Sequence, residues 1–290
     1  MKYDLVVISQ FTNLECIYDL IDSLKIKKKI SIYFVLLNQT GKSIHFEIGD
    51  CEIHTHEILL KKVVSSSRVR NIGIEYVNDQ EINYEYILFP DDDCFFDVSL
   101  FQNYFTYLKG QNKNFLLRVT DPINKDLYYK FPANRAEVKQ TEYHFVMTSN
   151  LVVCYESMKE IVGFDEKLGI GAKYCSTEDY EFFLRVSQHK CFYFLDDIKI
   201  FHPLGYNKKI NMSFKKTMKR IFNYSIGYIY VLTKYKMYLL ITESILKAFF
   251  GSFYYLIVKM NAKLFIIHFM VFFYRIWLFF KFFFKKKIKG

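Results

Sequence analysis

Tyr86-Ile87-Leu88-Phe89-Pro90-Asp91-Asp92-Asp93-Cys94 is the stretch on which the reading of this chain turns. An apolar run of strand length delivers three adjacent carboxylates to its end, and carboxylates that close repel one another unless a cation or a cationic substrate neutralises them. A divalent metal is the economical partner. Oxygen ligands of this kind suit hard ions such as Mg2+ or Mn2+, which complete their shells with water or substrate phosphate oxygens. The triplet therefore points to a phosphorylated substrate, with a solvated acidic turn as the plain alternative.

Working outward, residues 3–9 read as a buried strand and 13–24 as a helix with Leu14, Ile17, Leu20, Ile21 and Leu24 on its apolar face. A second strand over 30–37 ends in the turn-rich Asn38-Gln39-Thr40-Gly41. A third is expected over 52–58, with His54 and His56 on one face; alternating histidines can bind metal, but exposed edge positions are the simpler reading. Ser65-Ser66-Ser67 supplies caps for a helix reaching about residue 78. Past the triplet, 99–108 reads as helix, 114–119 as strand, 121–139 as a mobile loop near a site and 150–154 as strand. Ser176-Thr177-Glu178-Asp179 caps a helix to residue 187, and 192–201 is a closing strand before His202-Pro203. Strands alternating with helices over the first two hundred residues predict an α/β layer domain with a mostly parallel sheet.

The 290 residues allow one large or two small domains. Six scattered cysteines form no C-x-x-C pair and no even framework, which excludes a classical zinc ribbon or a disulfide scaffold and fits a reducing compartment. The start, Met1-Lys2-Tyr3-Asp4, runs straight into a strand-like segment and shows no signal-peptide pattern. The net charge of +10 hides a segregation: from Lys208 to Gly290 there are 17 Lys and Arg against the single acid Glu243, leaving 23 basic and 29 acidic residues before it. The tail is also saturated with Phe, Tyr, Ile and Leu, which suits an anionic lipid surface better than nucleic acid. The apolar run 264–284 is long enough to span a bilayer but carries His268, Arg275 and Lys281. Helices lying in the interface, anchored by the Lys285 to Lys289 end, are therefore favoured over a span, with a helical subdomain packed on the body as a third reading. Domains are expected at 1–210 and 211–290.

The order of these pieces resembles the inverting glycosyltransferases of family 2, of the bacterial surface-polysaccharide type. The resemblance covers residues 3 to about 230. It rests on the first strand with Ser9, the second strand with its Asn38 loop, Ser67-Arg68-Val69-Arg70-Asn71-Ile72-Gly73, Phe89-Pro90-Asp91-Asp92-Asp93 as an Asp-x-Asp motif, Gly163-Phe164-Asp165-Glu166, Ser176-Thr177-Glu178-Asp179 with Arg185, and His202-Pro203. It implies a GT-A, Rossmann-like nucleotide-diphospho-sugar transferase fold with a helical, basic and aromatic membrane-associated region behind it. Asn38 stands where the family commonly has an aspartate.

The resemblance further implies roles. Asp93 is the chief ligand for Mn2+ or Mg2+, Asp91 touches the ribose or completes the metal shell, and His202 is a third ligand. Ser9, Gln10, Asn38, Arg70, Asp91 and Asp92 are nucleotide-binding positions, with Arg70 facing the diphosphate or base. Asp179 is the general base for the acceptor hydroxyl, at a helix start whose dipole favours its ionised form, and Glu178 holds the acceptor or the neighbouring loop. Arg68 and Arg185 are equally readable as structural partners of carboxylates. The implied donor is a nucleotide sugar, usually UDP-linked, and the acceptor a hydroxyl of a glycan or lipid-linked sugar for capsule, O-antigen or exopolysaccharide. The implied place is the cytoplasmic face of the cell membrane. A haloacid-dehalogenase-like phosphotransferase is an alternative that wants Thr or Val where Phe95 stands. A membrane adaptor or nucleic-acid binder leaves the acidic sites without a purpose.

Overall fold

The computed structural model describes residues 2–25, 30–43, 53–123, 131–203 and 213–287. The chain divides into two compact units, one of residues 1–166 with 179–204 and one of residues 167–178 with 205–290.

The first unit runs β1 (Lys2–Phe11), α1 (Leu14–Leu24), β2 (Ile32–Asn38), β3 (Ile53–Leu59), α2 (Ser66–Asp79), β4 (Asn83–Leu88), β5 (Phe95–Phe96), α3 (Val98–Tyr107), β6 (Asn114–Thr120), β7 (Leu151–Cys154), α4 (Tyr155–Lys159), α5 (Glu178–His189) and β8 (Phe192–Phe201). The strands form one sheet in the order β3-β2-β1-β4-β7-β6-β8-β5. Leu5, Val6, Val7 and Ile8 of β1 are all buried because both faces of the sheet are covered. Leu5 and Val7 join Ile17, Leu20, Leu24, Leu100 and Tyr104 under α1 and α3, while Ile8 lies under α2 on the other face. Local chemistry starts the helices where the sequence placed them: the Asn13 side chain accepts from the Glu15 amide and the Ser65 hydroxyl from the Arg68 amide.

The sheet is mixed rather than mostly parallel. β1 to β4 pair in parallel, but β7 runs antiparallel to both β4 and β6, and β5 antiparallel to β8. A parallel return needs a crossover, usually a helix; between β6 and β7 the described residues hold only two short 3-10 turns, Tyr143–Phe145 and Thr148–Asn150, so the chain comes back antiparallel. The expected mobile loop needs a second correction. Its described part, 131–139, is pinned to β8 by Arg135 N–H to Phe194 O at 2.7 Å and Val138 N–H to Phe192 O at 2.8 Å; residues 124–130 lie outside the described residues. β3 is an edge strand, where His54 meets the Tyr3 ring edge-on and His56 stacks on Tyr76. The expected cap of α5 also differs. Thr177 has φ of 70°, not the extended backbone of an N-cap, and the Ser176 hydroxyl donates to the Tyr224 carbonyl.

In the second unit, α6 (Phe214–Lys234), α7 (Tyr238–Ile257) and α8 (Ala262–Lys287) pack together around Ala248, Ile267 and Val271, flanked by Met218, Ile221, Phe222 and Phe272. Arg275, the charge that argues against lipid in sequence, turns inward: its Nη1 donates to the Ser244 carbonyl at 2.6 Å and its Nε to Ser225 Oγ at 3.3 Å. Helices α7 and α8 are each long and apolar enough to cross a membrane, and only 22% and 17% of their apolar windows are buried. Phe250, Phe253, Ile257, Phe273, Trp277 and Phe280 are exposed. The basic end at Lys285 to Lys289 lies outside the described side chains.

Candidate active site

Because β1, β2, β4, β6 and β8 point the same way, their C-terminal ends share one edge of the sheet. That edge collects Ser9 and Gln10, Asn38, the aspartate triplet, Thr120 with Asp121, and His202. The strand order turns back between β1 and β4, which is where open α/β sheets bind ligands. The triplet stands at that point: the Thr12 amide, just past β1, donates to the Asp92 carboxylate.

The RNxG-like stretch builds the support. Arg70, 4% exposed, donates from Nη2 to Asp91 Oδ1 at 2.7 Å and lies 5.5 Å over the Phe164 ring. Its neighbour Asn71 clamps the 163–166 turn: Nδ2 donates to the Phe164 carbonyl and to Glu166, each at 3.0 Å, and Oδ1 accepts from the Phe164 amide at 2.7 Å. Gly163 has φ of 46°, and a Cβ there would collide with Asn71 Oδ1, so glycine is required. Phe164 stacks on Phe182 of α5 at 4.1 Å, and Phe89, two residues before Asp91, meets both rings edge-on at 5.1 and 5.7 Å. This buried aromatic group ties the triplet loop, the 163–166 turn and the helix that starts at Glu178–Asp179. Offset and edge-on pairs of this kind contribute about 0.5–1.5 kcal/mol beyond area burial.

His202 follows β8, its amide donating to the Thr120 carbonyl. Its Nε2 is 3.6 Å from Asp93 Oδ1, and Asp91, Cys94 and His202 bring ligand-type atoms within 4.8 Å of one another. Burial, reinforced by the Asp93 and Asp91 charges, pushes the Asp92 carboxyl up to about 6. Burial likewise pushes the Cys94 thiol up, with Asp91 and Asp93 adding and Ser149 opposing, so at neutral pH it lines the site as a neutral thiol. Three crowded carboxylates, one cation already spent on Asp91 and an imidazole alongside form a donor set that fits a divalent ion.

The structure thus brings Arg70, Asp91, Asp93 and His202 together, with Asp92 beside them. Ser9 is 1% exposed, and among the described residues its hydroxyl has no hydrogen-bond partner. The Gln10 side chain accepts from Gln39 at 3.1 Å. Asn38 is fully buried and its amide is committed to Glu57, the Lys42 carbonyl and Thr40, so its influence on a ligand runs through the loop it shapes. Asp179 stands half-buried in the first turn of α5, accepting from the Tyr180 amide at 2.7 Å. Glu178 precedes it and is counted with the helical unit. Arg68 pairs with Glu75 and Glu166, and Arg185 with the buried Glu181, both structural. Sequence reading missed Cys94, the Phe89–Phe164–Phe182 group, and Thr120 with the buried Asp121; the position of Thr120-Asp121 directly after a strand is the signal that could have found the last two. A groove of about 500 Å³ between β3 and α2, lined by His56, Glu57, Glu75 and Tyr76 among others, holds none of the predicted site residues.

No protein-family model matches the chain, and no curated protein matches it. Solved structures do. S. aureus TarS 1–349 in complex with UDP-GlcNAc superposes with a TM-score of 0.55 at 14% identity, over 77% of this chain and 66% of that one. TarS 1–349 in complex with UDP gives 0.51 at 14% identity over 77% and 65%, and a longer TarS structure 0.51 at 13% over 80% and 42%. This chain therefore spans just under two thirds of these two TarS 1–349 complexes and less than half of the longer structure. At these identities the likeness is one of fold.

Proposed function

We propose that this chain is a metal-dependent inverting glycosyltransferase that moves a sugar from a nucleotide-diphosphate donor, UDP-linked, to a hydroxyl of a glycan or lipid-linked acceptor in bacterial surface-polysaccharide synthesis. The observation that carries it is the convergence of Asp91, Asp93, His202 and Arg70 at the switch point of a fold shared with a protein solved with UDP-GlcNAc and with UDP.

Asp93, Asp91 and His202 would hold Mn2+ or Mg2+. That ion, when bound, neutralises the charge of the departing diphosphate without a proton. Arg70, braced by Asp91 and Phe164, adds a fixed positive charge for the diphosphate. Asp179 takes the proton of the acceptor hydroxyl as its oxygen bonds to the anomeric carbon and the bond from that carbon to the diphosphate oxygen breaks on the opposite face, which inverts the configuration. Glu178 holds the acceptor side. The exposed apolar residues of α7 and α8, with Arg275 satisfied inside, support attachment to the cytoplasmic face of the cell membrane near a lipid-linked acceptor, with no role for nucleic acid.

The test is UDP release from UDP-GlcNAc, UDP-glucose and UDP-galactose by the full-length protein, with Mn2+, with Mg2+ and with chelator. Metal-dependent release from one donor, lost in Asp93→Ala, is the expected result; release that survives both chelator and that substitution rejects the metal site.

A further inference from the structure

Cys175 and Thr177 both adopt left-handed backbone, at φ of 53° and 70°. For a β-branched residue such as threonine, that conformation persists only where the surroundings over-determine it. Here the surroundings are the helices of the same unit. Ser176, 4% exposed, donates its hydroxyl to the Tyr224 carbonyl of α6 at 3.2 Å. Tyr174 stacks on Tyr230 of α6 with centroids 4.2 Å apart and meets Phe282 of α8 edge-on at 5.5 Å. At Gly227, α6 approaches so closely that a Cβ would overlap the carbonyl oxygen and Oγ of Ser176 and stand 2.8 Å from the Tyr174 carbonyl oxygen. Backbone atoms cannot swing aside as a flexible side chain would, so any residue but glycine at 227 must push the segment off the helix.

Lys167–Glu178 is therefore fastened to α6 through Tyr174 and Ser176 immediately before it ends. Glu178 closes it, and Asp179 is the next residue in the chain. We propose that Gly227, Ser176 and Tyr230 are positioning residues: α6 holds the left-handed turn over 174–177, and that hold sets where the carboxylate of Glu178, the last residue of this segment, stands. None of the three touches a reacting atom. The Glu178 carboxylate is then tied to the helices of its own unit, so a disturbance of α6 lowers turnover without changing donor affinity. The inference rests on the transferase reading for its chemistry, but not for its mechanics.

The experiment uses the full-length protein in detergent, as wild type, Gly227→Ala and the milder Tyr230→Leu, which keeps the apolar packing and removes the stack. Amide hydrogen exchange over residues 174–180 and over β4 reports the hold, and the binding of UDP with Mn2+ reports the donor side. UDP release from UDP-GlcNAc, UDP-glucose and UDP-galactose, with water as acceptor, reports the chemistry. Gly227→Ala should exchange about tenfold faster over 174–180, with β4 unchanged. Its maximal UDP release should fall about tenfold or more at unchanged donor KM and unchanged UDP–Mn2+ affinity, and Tyr230→Leu should change the same quantities in the same direction by a smaller factor. Wild-type exchange in both variants overturns the hold, and faster exchange with unchanged release overturns the positioning role. If Gly227→Ala fails to fold, Tyr230→Leu decides by the same two criteria. Faster exchange in a protein whose wild type releases UDP from none of the donors supports the hold and counts against the transferase reading instead.

Discussion

The two units treat charge in opposite ways. In the helical unit Arg275 is turned inward and satisfied by Ser225 and a backbone carbonyl, and what faces outward is apolar. In the α/β unit three carboxylates are crowded at a sheet edge with one arginine bound to one of them, and the remaining charge is left half-open. A charge that serves structure is paired to completion, whereas a site keeps charge uncompensated for a ligand to neutralise. The contrast separates a helical unit with an apolar exterior from an α/β unit that keeps its charge at one sheet edge.

The largest effect should come from the base. Asp179→Asn is expected to lower sugar transfer by about 10²–10⁴-fold while leaving UDP–Mn2+ binding intact; full transfer in the variant removes the assigned role. The next prediction sets buried against exposed aromatics. Phe164→Ala, which breaks the stack on Phe182, should cost about 3–5 kcal/mol of stability by denaturant titration. Phe253→Ala, on an exposed position of α7, should stay within about 0.5 kcal/mol in detergent. Equal costs would erase the distinction between the units. Arg275→Ala should destabilise the protein in detergent by about 1–3 kcal/mol, because the Ser225 and Ser244 acceptors lose their donor in a packed interior; a neutral result would mean that the guanidinium is solvated.

The smallest prediction concerns pH. Asp92 has a folded-state value of about 6 against an ordinary 3.8, so folding disfavours its ionised form. The penalty is absent below about pH 4, grows up to about pH 6 and is complete above it. Asp92→Asn should therefore raise the Tm of the metal-free protein by about 2–4 °C at pH 8 and leave it unchanged near pH 4. A gain of the same size at both pH values would contradict the electrostatic cause.

Much of the α/β frame was legible. β8 occupies the predicted 192–201, and α1, Leu14–Leu24, falls on the predicted helix over 13–24, because an apolar period is a local signal. The antiparallel course of β7 was not legible, since it depends on the missing crossover helix rather than on the strand itself. Nor was the pinning of 131–139 to β8, or the fastening of Ser176 to α6, whose partners lie some fifty residues apart in sequence. In the site, the triplet, Arg70 and His202 could be named from motif order. The Phe89–Phe164–Phe182 group and the buried Cys94 could not, because an aromatic or a cysteine in an apolar run looks the same in sequence whether it fills a core or braces a site.

The central claim is that the β1–β4 edge is a metal-dependent nucleotide site, and a thermal-shift measurement tests it most directly. Full-length protein would be heated with UDP, GDP, CDP and dTDP, each with Mn2+, with Mg2+ and with chelator, beside Asp93→Ala. A ligand that binds only the native state must raise Tm. The account predicts that UDP raises Tm with metal and not with chelator, and that Asp93→Ala abolishes the rise. A folded wild type that no nucleotide stabilises under any condition, or a UDP shift indifferent to both chelator and Asp93→Ala, would contradict it.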